Sequence, residues 1–395
     1  MIDRLPDDLA PRDDGALVVA LNGWFSGQPV GSGRYADALA SALPTHGVAP
    51  IVVRPARRGP WRKLAFEQVT FPTAARGSML AHVPYWGPPS RSPVPLVITV
   101  HDLIPLLRAD YRRDPLVRAY TALVVRATRR AAMVIADSAY AAGHIVAHLG
   151  VPEARVRVVP LGVDAAFAPE RAAGDGGAAV AVESSGEVAT ILARYGLPPR
   201  YGLYVGGFDR RKDVGALLAA WRAVWESTGV PLAIAGRLPV PPERHNPHGP
   251  TRTPDPRAQA AAAGLPPAAV RFLGAVLDAE LPALYAGAAV FGFPSRDEGF
   301  GLPPLEAMAS GAPVVVADAA SLPEVVGDAG LRVPVGDVAA LGEALVAVLA
   351  EDGALARRLR AAGLERAARF TWDATARGTA AVYREVVLAG RDRRR

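Results

Sequence analysis

Glu298 and Glu306 are separated by seven residues in the stretch Ser295-Arg-Asp-Glu298-Gly-Phe-Gly-Leu-Pro-Pro-Leu-Glu306-Ala-Met-Ala-Ser-Gly311. The apolar run 288–293 before it reads as a buried strand. Pro303 or Pro304 can open a helix, where a missing N–H costs nothing, and Gly311 suits its C-terminal stop. Glu298 then falls in a loop at the end of a strand, and Glu306 in the first turn or two of the next helix. Two carboxylates so placed can converge on one crevice at a strand's C-terminal end, where open α/β sheets bind ligands. The backbone N–H groups of Phe300, Gly301 and Leu302, beside a helix N-terminus, make a ready anion site. The plain alternative is a strand–loop–helix with two solvated glutamates. Either way, neither carboxylate is expected to be a core residue.

Three further clusters could carry chemistry. Gly206-Gly207-Phe-Asp-Arg-Arg211-Lys212-Asp213 lies between an apolar run and a helical pattern. Its glycines let a backbone approach a ligand, and Arg211 and Lys212 can neutralise a diphosphate; the simpler reading is a basic turn with Asp213 as helix N-cap. Gly31-Ser-Gly33-Arg34-Tyr35 also fits a relaxed dinucleotide fingerprint that continues to Ala36. Against that, Gly31 stands well after the preceding strand, where a nicotinamide site wants a tight turn. Arg54, not an acid, ends the next strand, so only an NADP version survives. His101-Asp102 ends the apolar run 96–100, a ligand-facing position that a structural histidine could also fill. There is no Asp-x-Asp pair and no His/Glu cluster with metal spacing, so no metal is expected.

Taken together, these motifs resemble the retaining glycosyltransferases of family 4, the large family that includes sucrose synthases and bacterial mannosyltransferases, with its Glu-x7-Glu signature. The resemblance runs from about residue 16 to about residue 375 and weakens at 172–190 and 239–256. It implies that Glu298 faces the donor sugar and Glu306 holds the nucleotide ribose. It implies that Gly206, Gly207, Arg211 and Lys212 grip the donor diphosphate, with Asp213 standing where Asn is commoner. Gly31 and Gly33 belong to a glycine-rich loop whose backbone reaches the donor phosphates, and His101 approaches the sugar near its reacting carbon. Phe66-Glu67-Gln68 and Ala136-Asp137-Ser138 match segments of the family's acceptor domain, Ser138 reading best as a helix cap. Leu161-Gly-Val-Asp164 resembles the segment that ends the first domain, and Ser321-Leu-Pro-Glu324-Val-Val-Gly is a structural family feature.

Composition sets the frame. A chain of 395 residues suggests two or three domains, each able to bury its own core. Half the residues are hydrophobic, yet no uncharged apolar run reaches membrane-spanning length. The acidic, Pro-broken start does not read as a signal peptide, so none is expected, and the absence of cysteine excludes disulfides, thiolate zinc sites and thiol nucleophiles. A cytoplasmic enzyme is the expectation. The net charge of +6 permits contact with phosphates or anionic membranes. Arg54, Arg57, Arg58, Arg62 and Lys63 crowd a stretch containing Trp61, either as a solvated face or as a membrane-surface patch for a lipid-linked acceptor.

The elements that must position these residues alternate. Short apolar runs at 16–21, 48–53, 80–84, 96–100, 133–136 and 156–160 read as strands, with helices over 34–43, 116–130 and 139–149. The rhythm breaks over 165–197 and restarts with strands at 203–205, 232–235, 270–273, 288–293, 314–317 and 331–333. Helices are expected over 214–225, 341–349, 353–368 and 372–388. Strand–helix alternation implies parallel, doubly wound sheets. The expected fold is therefore α/β of the GT-B class, two facing Rossmann-like domains with a cleft between them. Residues 1–14 form a loose start, 15–170 an acceptor domain, 171–198 a linker or insertion, and 199–372 a nucleotide-sugar donor domain. Residues 373–395 form a last helix and basic tail that can pack back on the first domain.

The expected activity is transfer of a sugar, first mannose from GDP-mannose, to a hydroxyl of a glycan or lipid-linked acceptor in cell-surface polysaccharide synthesis. Retention at the anomeric carbon follows from the resemblance. No cofactor and no nucleic-acid partner is expected, and a peripheral contact with the inner face of the cell membrane is. Two other classes fit less of the chain: an NADP oxidoreductase or nucleotide-sugar epimerase, and a non-catalytic glycan- or nucleotide-sugar-binding descendant.

Overall fold

Runs such as Leu96–Val100 and Val314–Ala317 are too apolar for solvent and too short for a helix, and each forms a strand buried along its whole length. In the computed structural model, which describes residues 16–28, 30–107, 115–168, 186–239 and 253–392, twelve strands, the central ones buried in this way and the edge ones partly exposed, form two sheets of six. Those of the first are β1 (Leu17–Asn22), β2 (Val48–Val53), β3 (Leu80–Val83), β4 (Leu96–Val100), β5 (Met133–Ala136) and β6 (Val156–Val158). The second contains β7 (Gly202–Val205), β8 (Leu232–Ala235), β9 (Val270–Gly274), β10 (Val290–Phe293), β11 (Val314–Ala317) and β12 (Leu331–Val333). All twelve lie on apolar runs that the sequence marks as strands.

Every pairing in both sheets is parallel. Parallel strands need crossover connections that cover both faces, which is why the central strands carry no polar alternation. The first sheet has the order β2-β1-β3-β4-β5-β6, and the second β12-β11-β10-β7-β8-β9. The second is the dinucleotide-fold order, and the first the flavodoxin-like order with a strand added. The order reverses between β1 and β3 in one sheet and between β7 and β10 in the other. Ligands of open α/β sheets bind at these switch points. The chain thus has the two-domain α/β architecture of the GT-B class.

Helix Val214–Thr228 shows how the second sheet is covered. Val214, Leu217, Leu218, Trp221 and Val224 recur at helical spacing and are all buried. Trp221 is fully buried and its indole N–H donates to the Val230 carbonyl at 3.0 Å. A Cβ at Gly202 would lie 2.0 Å from the Trp221 ring, so β7 must begin with glycine for this side chain to seat.

The chain divides into two compact units. One runs to Gly162 and resumes at Thr371, and the other is Val163–Phe370. The expected boundaries at 170, 198 and 372 therefore shift. Residues 163–168 join the second unit, and so does helix Gly186–Arg194 from the stretch read as linker. Its Ile191 is buried, and Arg194 and Tyr195 bind Glu280. An amphipathic segment this short is hidden in sequence by the low-complexity residues before it. The expected loose start at 1–14, the Gly/Ala-rich piece at 172–179, most of the Pro/His-rich 239–256 stretch and the end of the basic tail lie outside the described residues.

The last helix, Trp372–Asp392, belongs to the first unit and is held there by polar contacts. Thr375 donates to the Pro160 carbonyl at 2.8 Å, and His46 pairs with Asp373 at 2.9 Å. Deeper, the Tyr383 hydroxyl lies 2.7 Å from Nδ1 of His82, whose Nε2 is 2.9 Å from Thr99 Oγ1. His82 is fully buried on β3, and burial, with a lesser effect of the His101 charge, pushes its pKa down to about 3. Because this value lies below that of an unfolded histidine, the stability is intact above about pH 6.5 and is lost as pH falls toward 3. Relative to a His82→Asn variant, which cannot titrate there, the wild-type unfolding free energy should fall by about 1.4 kcal/mol per pH unit below that point. Chemical denaturation of both proteins between about pH 7 and pH 5 measures this. Parallel pH dependences would show that His82 is not held neutral.

Candidate functional site

In the second unit, β7 and β10 are neighbours at the switch point, and the loops leaving their C-terminal ends carry the charged motifs. After β7 the backbone turns at Gly206, whose φ of 158° lies at the edge of the range side chains rarely adopt. The 3-10 turn Arg210–Lys212 follows, capped by Asp209, which accepts from the Arg211 N–H. After β10 come Ser295 and Glu298. The two loops are joined by backbone and side chain alike: Arg296 N–H donates to the Arg211 carbonyl at 2.8 Å, and Arg211 Nη1 donates to the Asp297 carbonyl at 2.9 Å.

Glu298 is the centre of this junction. Its Oε1 accepts from Lys212 Nζ at 2.6 Å and from Ser295 Oγ at 2.5 Å, and its Oε2 lies 3.1 Å from Arg211 Nη1. Only 8% of the residue is exposed. Burial works to raise its pKa, but the Lys212 and Arg211 charges more than offset this and hold the carboxyl below the usual range. The Lys212 ammonium sits 5.0 Å from the Phe293 ring centroid and has three hydrogens, one of them given to Glu298. Asp213 stands at the N-cap position of helix Val214–Thr228, as the simpler reading has it, but its side chain makes no cap hydrogen bond. It has a left-handed backbone (φ 48°) and pairs with Arg296 at 2.6 Å. Asn and Asp are the non-glycine residues that best tolerate this conformation, so Asp in place of Asn leaves the backbone equally well served and adds the ion pair with Arg296.

Helix Leu302–Ala309 begins one residue before the expected prolines and ends before Gly311, whose φ is 78°. Gly301, with φ 111°, forms its N-cap. Ser321, in the motif read as structural, donates to the carbonyls of Glu298 and Phe300 at 2.8 and 2.6 Å and so fixes the loop. Glu306 lies in the second turn, 4% exposed, with Oε2 accepting from the Tyr285 hydroxyl at 3.1 Å. Both glutamates are therefore buried, unlike the solvated pair of the plain alternative and deeper than expected of residues outside the core, and they bind different partners. The reason is tertiary: Lys212, Arg211 and Tyr285 are all more than 20 residues away in sequence and supply what solvent would otherwise supply.

In the first unit the glycine-rich segment is not a loop. The helix starts at Gly31, so Gly31 and Gly33 form its first turn. A Cβ at Gly33 would lie 2.4 Å from the Gln28 carbonyl and 2.6 Å from that of Phe25, whereas one at Gly31 would meet nothing within 4 Å. Gly33 is thus a packing glycine and Gly31 an approachable backbone. The basic stretch turns inward to hold the segment before this helix. Arg58 donates to the Ser26 and Trp24 carbonyls at 2.8 and 3.2 Å, and Arg54 donates to Ser26 Oγ at 3.2 Å. Lys63 binds the buried Glu67, which also accepts from the Tyr85 and Tyr120 hydroxyls at 3.0 and 2.9 Å. Of the five cations read as a solvated or membrane-facing patch, three are committed to the protein itself.

His101 follows β4. Its Nδ1 lies 2.7 Å from Asp137 Oδ2 and its Nε2 3.3 Å from the Pro84 carbonyl. The Tyr35 ring meets it edge-on at 4.9 Å. Ser138 caps the following helix through Ala141 N–H, as its position suggests. The partner role of Asp137 escaped sequence reading; an acid at the C-terminal end of an apolar run was the available signal. Among the described residues no three His, Asp or Glu side chains gather where they could hold a metal ion, and no helix is long and apolar enough to cross a membrane.

Comparison with known proteins agrees with this geometry. Residues 199–351 match the family model "Glycosyl transferases group 1", and residues 75–167 the model "Glycosyltransferase Family 4". The chain is 30% identical over 280 residues to the O-antigen chain mannosyltransferase B of Escherichia coli, an alignment covering 70% of this chain and 67% of that protein. It is 31% identical over 282 residues to the serotype-specific mannosyltransferase WbdA of the same organism, where it spans 71% of its own length but 32% of the relative's. The fold superposes on a sucrose-phosphate synthase from Thermosynechococcus elongatus with a TM-score of 0.70 at 24% identity, covering 94% of this chain and all of that one. A relative 30% identical over two thirds of its length, with family models matched in both units, leads to one conclusion: the chain belongs to the family 4, group 1 glycosyltransferases.

Proposed function

We propose that this chain is a retaining hexosyltransferase, with mannose from GDP-mannose as the first choice of donor. It passes the sugar to a hydroxyl of a glycan or lipid-linked acceptor in cell-surface polysaccharide synthesis. The observation that carries the reading is the Lys212–Glu298–Arg211 cluster at the β7/β10 switch point. A diphosphate needs fixed cations, a sugar needs fixed acceptors, and this cluster holds both next to the N-terminus of helix Leu302–Ala309. The mannose choice is supported by the mannosyltransferases among the relatives.

In this account the second unit binds the nucleotide sugar and the first binds the acceptor. Arg211 and Lys212, with the backbone at Gly206, Gly207, Phe300, Gly301 and Leu302, receive the diphosphate. Glu298 accepts hydrogen bonds from the transferred sugar, Glu306 from the ribose, and Gly31 offers its backbone to the donor phosphates. The bond between the anomeric carbon and the diphosphate oxygen breaks while the acceptor oxygen bonds to the same face. The acceptor's proton passes to the leaving diphosphate. The protein's part is to stabilise the negative charge that develops there, through Arg211, Lys212 and His101. A lipid-linked acceptor would be met at a membrane, where Trp61, 74% exposed, and the neighbouring Arg57 and Arg62 offer a peripheral contact.

Thermal stabilisation by GDP, UDP, ADP and dTDP, followed by NMR of the product anomer, tests donor and stereochemistry together. Lys212→Ala and Arg211→Ala should each weaken nucleotide diphosphate binding by roughly 1.5–3 kcal/mol. Unchanged affinity in both variants would remove the diphosphate assignment. No step needs a metal, so transfer should persist in EDTA; loss restored by Mg2+ or Mn2+ would overturn that part.

The two glutamates should separate kinetically. Contacts strengthened only in the transition state appear in kcat, and uniform contacts appear in KM. Glu298→Gln should therefore lower kcat most, and Glu306→Gln should mainly raise the donor KM. Because Glu298 is buried against two cations, Glu298→Gln should also lower stability, by about 3 kcal/mol if the cations are left unpaired. Full kcat in Glu298→Gln, or equal loss of nucleotide affinity in both variants, would show the roles to be wrong.

A further inference from the structure

Among the described residues His101 has two hydrogen-bond partners, a carboxylate and a backbone carbonyl, and both accept. Asp137 Oδ2 is a carboxylate oxygen at 2.7 Å from Nδ1, and the Pro84 oxygen is a backbone carbonyl at 3.3 Å from Nε2. A neutral imidazole has one N–H and one lone pair, so it can satisfy one of these contacts and must oppose the other. Only the doubly protonated ring satisfies both. Asp137 is 1% exposed, and its second oxygen, Oδ1, is buried with no hydrogen-bond partner among the described residues. A buried carboxylate with half its acceptors unused is a poor device for stability. Among the described residues its one side-chain hydrogen bond is with the ring.

The ring is also clamped in place. Tyr35 packs edge-on against it, and the Tyr35 hydroxyl is 2.9 Å from Thr99 Oγ1. Thr99 is in turn held by His82, and His82 by Tyr383 of the last helix. Side-chain exposure of 21% leaves His101 reachable, while Asp137, Tyr35, Thr99 and His82 are buried behind it.

We propose that Asp137 is a positioning residue for sugar transfer: it holds His101 as an imidazolium whose Nε2–H exchanges the long contact with the Pro84 carbonyl for the donor oxygen that leaves with the diphosphate. The inference rests on the reading of His101 as facing the reacting carbon of the donor. No proton need move through Asp137. Its carboxylate keeps a positive charge and an N–H where negative charge develops.

The groups facing His101 agree in sign. Burial opposes its charge, and Asp137, then Asp102 and the Pro84 carbonyl, more than offset this and raise its pKa above the usual histidine value. His82 stays neutral and Tyr35 is held protonated, so neither adds charge near neutral pH. The active form is thus lost as pH rises through the raised pKa of His101, and removing the Asp137 charge moves that loss to lower pH.

The test compares Asp137→Asn, His101→Gln and the double variant. Asp137→Asn should lower kcat by about 100-fold with nucleotide diphosphate affinity unchanged. The alkaline limb of its kcat profile should move down by roughly 1–3 pH units. The double variant should be no slower than His101→Gln alone. A wild-type pH profile in Asp137→Asn, or losses that multiply in the double variant, would overturn the proposal. If His101→Gln keeps full kcat, the reading of His101 fails instead. Ring-nitrogen NMR of wild-type protein, assigned by the peak missing from His101→Gln, is independent of how Asp137→Asn folds. Two protonated nitrogens on His101 at neutral pH are expected, and a single protonated nitrogen overturns the proposal.

Discussion

The contact on which the second unit's site depends is the ion cluster of Glu298 with Lys212 and Arg211. It ties the loop after β7 to the loop after β10 across the point where strand order reverses. Removing a carboxylate and two cations from water costs several kcal/mol per ion, and mutual attraction repays this only when hydrogen bonds complete the geometry. Ser295 on Glu298 Oε1 and the Asp297 carbonyl on Arg211 complete it. Such a cluster adds little to stability; in the proposed function its value lies in holding cations and carboxylate at fixed positions before a ligand arrives. That is preorganisation, and it explains why the backbone around it is pinned by Ser321 and by the Arg296–Arg211 bond.

The first unit solves a related problem with different parts. Its charged groups at the C-terminal ends of the strands are also turned inward. Arg54 and Arg58 hold the residues before helix Gly31–Ala42, Lys63 neutralises Glu67, and Asp137 is matched to His101. Gly33 lets the helix lie against the carbonyls of Phe25 and Gln28, and Gly31 leaves open space in front of the backbone. The last helix reaches the same region through a buried polar chain from Tyr383 to His82, Thr99 and Tyr35. A change in how that helix seats would therefore be felt at the edge of the His101 ring.

Strand positions were legible because each depends on a local property. Runs such as Met133–Ala136 and Val290–Phe293 can be stable only when buried on both faces, and that requirement is written in four residues. The candidate site was legible for a similar reason: glycines, paired cations and carboxylates fall at strand ends, where α/β sheets bind ligands. Helix Gly186–Arg194 and the unit boundary at Gly162 were not. Their assignment depends on contacts such as Arg194 with Glu280 and Gly162 with Trp372, which lie far apart in the chain.

By itself, then, the amino-acid sequence determined the twelve strands, the parallel α/β class, and the residue types at the candidate site. Each follows from short-range pattern and from the chemistry of single side chains. Tertiary structure alone decided what those side chains touch. It buried Glu298 and Glu306, turned the side chain of the N-cap residue Asp213 to Arg296 and away from the helix N–H groups, committed three of the five cations of the basic stretch, and set Asp137 beside His101. The physical reason is that a charge's state depends on its distance to other charges and to water. Those distances are fixed only when segments remote in sequence are brought together by the sheets.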